Sequence, residues 1–140
     1  MINYSDNTNK KEYTKLDDYK LFDYEIPNIF LDFIIEKDRV IVKTELKLIK
    51  KNVNTKTLIL DGVEIFVEKI YLDESLLEEK YYSIQDERLS ISSILKENFI
   101  LKIEGIIKPK ENVSLLGMYE SNGIITTQCE AEGFRRISYH

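Results

Sequence analysis

The chain has 140 residues, with one cysteine, one histidine and no long apolar run. A single thiol, Cys129, excludes an internal disulfide framework and points to a reducing, cytoplasmic setting. A single histidine, His140, cannot supply the two imidazoles, one helical turn apart, of a His-Glu-x-x-His zinc site. Nor does the chain offer a Ser/His/Asp or Cys/His pairing for nucleophilic catalysis. No stretch approaches the roughly 20 apolar residues of a membrane span, so no membrane partner is expected. Residues Met1 to Lys11 carry charges with no apolar run after them and do not read as a secretory signal. Positive charge is also short. Lysine and arginine number 20 against 25 aspartates and glutamates, a net charge of −5. Lys50-Lys51 and Lys108-Pro-Lys110 are turn-sized clusters rather than the concentrated basic face that a phosphate backbone needs, so nucleic acid is not an expected partner.

What is present is the composition of an ordinary globular domain, 43% hydrophobic and 32% charged, long enough for one core. Residues 1–12 are polar and are expected to form a mobile arm, with a single domain over 13–140 that starts near Tyr13. The tyrosines of the stretch Leu16–Ile26 read as aromatic packing of an arm on a sheet. From Ile29 the period is two. Ile29, Leu31, Phe33 and Ile35 are expected on one face. After the polar turn Glu36–Arg39, the residues Val40, Val42, Thr44, Leu46 and Leu48 alternate with Ile41, Lys43, Glu45, Lys47 and Ile49, so the two runs form a hairpin. Further strands are expected at Thr57–Leu60, Glu64–Leu72, Tyr81–Ile84, Leu89–Ile91, Phe99–Ile107, Leu115–Tyr119 and Ile124–Thr127. In the strand over 64–72, Ile65, Val67 and Tyr71 should lie opposite Phe66, Ile70 and Leu72. Gly105 should mark a bulge or a close backbone approach, and Glu120–Gly123 a tight hairpin turn. Eight to ten short strands without a long helix argue for an all-β fold, an antiparallel sandwich or saddle-shaped sheet.

The densest chemistry lies near the end, over Thr126–Arg135. It places an amide, two carboxylates, the only cysteine and a glycine within a few residues. If the chain is extended there, Gln128 and Glu130 share a face, and Cys129 and Ala131 point into packing. An amide and a carboxylate on one face suit a cationic hydrogen-bonding group such as a primary amine. Cys129 reads as a packed structural cysteine.

The run Thr127-Gln-Cys-Glu-Ala-Glu-Gly-Phe-Arg135, preceded by Leu116-Gly-Met-Tyr119 and followed by Ile137-Ser-Tyr139, resembles the end of the N-terminal domain of bacterial aminopeptidase N, a family of zinc-dependent gluzincin aminopeptidases. The resemblance extends more weakly from about Leu16 to the end, through Leu60-Asp-Gly-Val-Glu64 and Phe99-Ile-Leu-Lys-Ile103. It implies a β-saddle that packs on a catalytic domain. It implies that Gln128 and Glu130 bind substrate, recognising the free amino terminus of a peptide. It also implies zinc in the complete enzyme, but none in this chain, which lacks the His-Glu-x-x-His helix and the Gly-Ala-Met-Glu-Asn motif. In the family the chain would continue beyond Tyr139 through another strand into the catalytic domain. The expectation is therefore a partial aminopeptidase N, inactive alone, whose partners are the peptide substrate and its own catalytic domain. The alternative is a non-enzymatic β-sandwich interaction module of the same ancestry, using a sheet face or edge for a protein partner.

Overall fold

In a computed structural model the structure covers residues 16–140. The mobile arm expected at 1–12, and the start of the domain near Tyr13, lie outside the described residues. Among the described residues there are ten strands, three short 3-10 turns and no α-helix, in line with the all-β expectation. The strands are β1 (Tyr24–Ile35), β2 (Val40–Lys50), β3 (Leu58–Asp61), β4 (Phe66–Leu72), β5 (Ser75–Leu76), β6 (Tyr82–Gln85), β7 (Arg88–Ile91), β8 (Asn98–Ile107), β9 (Gly117–Ser121) and β10 (Ile124–Gln128). They form a five-stranded sheet in the order β1-β2-β8-β4-β5, a three-stranded sheet β3-β7-β6 and a two-stranded ribbon β10-β9. All the pairings are antiparallel.

The core follows from the pleat. Alternate residues of β2 (Val40, Val42, Thr44, Leu46 and Leu48) are buried, as are Phe99, Leu101, Ile103 and Ile107 of β8. They cluster with Leu58 and Leu60 of β3 and Leu89 and Ile91 of β7, so the five- and three-stranded sheets share one apolar interior. Burying each such leucine or isoleucine contributes roughly 1.5–3 kcal/mol. Thr44 puts a hydroxyl into that interior. Its Oγ1 lies 2.8 Å from Ser138 Oγ, which satisfies it.

Two expectations from simple alternation are corrected. In β4 the register shifts between Val67 and Lys69, with Val67 opposite Gly105 and Lys69 opposite Glu104. The extra residue, Glu68, moves the buried set by one position, so Ile65 is buried before it and Ile70 after it. Tyr71 and Leu72 are both half-buried. Gly105 makes the anticipated close approach, because a Cβ there would stand 2.8 Å from Ile65 Cγ2. In β1 the expected single apolar face does not form. Ile29, Phe33 and Ile35 are exposed together with Phe30 and Ile34, and Leu31 is only half-buried. β1 is an edge strand paired with β2 alone. Pro27 and a register shift between Glu25 and Asn28 interrupt the first part of that edge.

The polar turns act as their chemistry requires. Asn122 and Gly123 join β9 to β10 with φ of 50° and 78°, and Asp86 and Glu87 join β6 to β7 with φ of 50° and 61°. Positive φ at both central residues matches the right-handed twist of the flanking strands. Asp73, also left-handed, ends β4 and ties it to β8. Its Oδ1 accepts from Ile100 N at 3.0 Å, and Lys96 pairs with its other oxygen. Hydrogen bonding from Lys96, then from the Ile100 amide, holds the Asp73 carboxyl below its ordinary value of 3.8. A lowered folded-state value means that the unfolded chain takes up the proton first. The contribution is therefore complete above about pH 4 and is lost as pH falls below it. Thermal melts of Asp73→Asn between pH 5 and pH 2 should fall less steeply with acid than wild type. Parallel acid profiles would remove Asp73 from the account.

Candidate functional site

Residues Gly117 to Gln128 form a ribbon that ends where the chemistry begins. Gly117 lies opposite Gln128, and Tyr119 opposite Thr126. The strand β10 stops at Gln128, so the condition of an extended chain through Glu130 is not met and strand alternation does not bring the two site residues together. A turn does so instead. Residues 130–132 reverse the chain, and Gly133–Arg136 form a 3-10 turn. The Glu130–Ala131 peptide bond is cis. The Gln128 Nε2 group donates to the backbone oxygen of Glu130 at 2.9 Å. Both side chains are exposed.

The charges around the turn are sorted. Glu132 pairs with Arg135 at 3.0 Å, and Arg136 reaches back to Glu64 at 2.6 Å. The Glu130 carboxylate has no ion-pair or hydrogen-bond partner among the described residues. The Gln128 amide bonds the Glu130 backbone oxygen and leaves the carboxylate free, and a free carboxylate is an acceptor for a cation with N–H donors.

Cys129 is corrected. It is exposed, not packed, and so is Ala131. The strand has ended before them, so neither has an inward face to occupy. After the 3-10 turn, Ile137, Ser138 and Tyr139 are buried in irregular conformation. Asp61 N donates to His140 O at 3.0 Å and His140 N to Asp61 O at 3.2 Å, which fastens this segment to β3.

Sequence reasoning missed the residues that support the turn from below. Gly117 has φ of 76°, and a Cβ there would stand 2.5 Å from Arg136 Cβ. A Cβ on Gly133 would overlap the Gln128 backbone oxygen and lie 3.0 Å from Gly117 N. Only hydrogen at both positions lets the two backbones meet. The available signal was that both glycines fall within the stretches that carry the family resemblance.

A metal does not fit these residues. Among the described residues no group of three His, Cys, Asp or Glu side chains could hold one. The His140 imidazole packs against Phe134 at 4.9 Å, with its Nδ1 3.2 Å from Ser138 O. No step through zinc can be built from these residues. A groove of about 250 Å³ lies next to Arg136, lined also by Glu64, Phe66, Lys108 and Met118. Its cations are already paired, Arg136 with Glu64 and Lys108 with Glu111 at 3.1 Å. Gln128 and Glu130 do not line it.

No protein-family model matches the chain. Curated relatives do. It is 34% identical over 132 residues to aminopeptidase N of Caulobacter vibrioides, covering 94% of this chain and 15% of that protein. It is 33% identical over 124 residues to aminopeptidase N of Escherichia coli, covering 88% and 14%. The Haemophilus influenzae aminopeptidase N matches at 32% over 130 residues, covering 93% and 15%. The chain thus spans about 15% of the length of the curated relatives it matches. Among solved structures, Legionella pneumophila aminopeptidase A in complex with aspartic acid superposes with a TM-score of 0.81 at 30% identity, over 90% of this chain and 15% of that one. Native yeast LTA4 hydrolase shares the fold over 63% of this chain, with a TM-score of 0.55 at 22% identity, and 15% of its own chain is covered.

Proposed function

We propose, from a chain related along nearly its whole length to the N-terminal domain of bacterial aminopeptidase N, that it is the substrate-binding domain of a zinc-dependent aminopeptidase. Glu130 pairs with the ammonium group of a peptide's first residue, and Gln128 adds a hydrogen bond. Together they set how far the peptide enters, so that its first peptide bond meets the catalytic centre. The observation that carries this reading is the free carboxylate of Glu130, exposed on a supported turn whose backbone oxygen accepts from the Gln128 amide. The metal and the general base belong to the rest of such an enzyme, and this chain alone is inactive. The docking partner is that catalytic domain. The exposed apolar residues of β1 are consistent with burial against a further polypeptide. Among the described residues no helix is long and apolar enough to cross a membrane, and we place the protein in the cytoplasm.

The test uses the isolated chain. Alaninamide, with its free amine, should shift the backbone amide resonances of 128–133 in a saturable way, whereas N-acetylalaninamide should not. Equal responses to the two compounds, or none in that segment, would count against amine recognition. A non-enzymatic interaction module is the second reading, favoured by the same apolar edge of β1. The intact mass of the gene product in its source cells separates the two. A product several times heavier than 16.5 kDa supports the enzyme, and one near it supports the module.

A further inference from the structure

The contact between Gln128 and Glu130 fixes which end of the amide faces which partner. A backbone carbonyl oxygen can only accept a hydrogen bond. The 2.9 Å contact with the Glu130 oxygen is therefore made by the NH2 end of Gln128, and Oε1 is left as the free end. We propose that Gln128 is a positioning residue for Glu130: its amide nitrogen clamps the turn that carries the carboxylate, while its oxygen remains as a second acceptor. This rests on the reading of the site as a receptor for a peptide amino terminus.

The turn needs such a clamp. Glu132 is held left-handed at φ of 65°, a conformation that is disfavoured for a non-glycine residue. Opposing that cost from below are the Gly117–Gly133 backbone contact and a hydrogen bond from Gly133 N to Cys129 O at 2.9 Å. Both act at the base of the turn. The Gln128 side chain reaches its exposed part, where Glu130 sits. The outcome is two side-chain acceptors, Gln128 Oε1 and the Glu130 carboxylate, exposed on one turn. That set matches a primary ammonium, which has three donors and no acceptor. It also discriminates against blocked amino termini, whose neutral amide offers a single donor.

Gln128→Glu separates the clamp from a plain ligand contact. The substitution keeps size and oxygen acceptors, adds a negative charge and removes the N–H donor. Were Gln128 only a ligand contact, the added charge would tighten ammonium binding. With Gln128 as a clamp, the new carboxylate faces the Glu130 carbonyl oxygen and the turn opens. In the 140-residue chain, hydrogen exchange at the Gly133 amide should speed up about tenfold. The Kd for alaninamide should rise at least about fivefold despite the extra charge. Gln128→Met, which has neither donor nor acceptor of comparable strength, should accelerate Gly133 exchange to a similar extent. The melting temperature should stay near wild type in both, because the side chain is exposed. Unchanged exchange at Gly133, or tighter alaninamide binding by Gln128→Glu, would overturn the clamp. Exchange decides the clamp even if wild type binds no alaninamide, an outcome that sinks only the amino-terminus reading.

Discussion

Replacing Glu130 with alanine in a complete aminopeptidase that carries this domain is expected to lower kcat/KM by at least ~100-fold, about 2.7 kcal/mol of lost transition-state binding. The magnitude follows from the kind of contact. A charge-assisted pair closed off from water by the rest of an enzyme costs roughly 2–5 kcal/mol when one partner is truncated. In the structure the carboxylate is exposed and has no ion-pair partner among the described residues, so no internal pair has to break before it meets an ammonium group. Most of the loss should appear for substrates with a free amine, and little for any N-acylated compound the enzyme still turns over. Glu130→Gln should fall between, because it keeps the acceptor and loses the charge. Steady-state kinetics on aminoacyl p-nitroanilides would measure it, and a rate within threefold of wild type for Glu130→Ala would take Glu130 out of the site.

Truncating Tyr139 to alanine should destabilise the chain by about 3–5 kcal/mol, as for other large aromatic side chains removed from a core. At this size that is a fall of roughly 10 °C in Tm. Tyr139 is 2% exposed and packs against Gly62, where a Cβ would overlap the ring carbons Cε1 and Cδ1. Gly62→Ala should therefore also destabilise, by about 1–3 kcal/mol, through overpacking of the same contact. Tyr139→Phe keeps the ring and should melt near wild type at neutral pH. Burial pushes the Tyr139 phenol above its ordinary value of 10.0. A raised folded-state value gives stability that is complete below pH 10 and lost as pH rises beyond it. The Phe variant should accordingly resist alkali better than wild type, although Tyr24, raised by burial and by Asp23, contributes some of the same loss. A Tyr139→Ala chain with an unchanged Tm would mean that the segment 137–140 is not part of the core.

What could be read from sequence was what depends on neighbours along the chain. The pleat of β2 is written in the spacing of Val40, Val42, Thr44, Leu46 and Leu48, which are the residues buried, and the apolar run 99–107 is the strand β8. The turn at Glu120–Gly123 followed from asparagine and glycine accepting positive φ. What failed depends on contacts far away in sequence. Glu68 looks like any outward residue of a strand, and only its pairing with β8 makes it the extra one. β1 carries apolar side chains on both faces, and nothing local says that it is an edge. At the site, Gln128 and Glu130 were identified from residue chemistry and resemblance, but their juxtaposition was assigned to a continuing strand. It arises instead from a turn seated on Gly117, a residue of β9. That same turn is why Cys129 lies outside the core rather than in it.

The last residues also set a timetable. Ser138 meets Thr44 across a separation of 94 residues, and His140 is stitched to Asp61 in β3. The hairpins β1–β2, β6–β7 and β9–β10 are local and can form early, within microseconds of collapse. Ile137–Tyr139 complete the interior between the sheets, and contacts over such long separations are the slow ones to form. The turn bearing Glu130 lies just ahead of that closing segment. During synthesis it follows β1 to β10, so it acquires its shape among the last of the described elements.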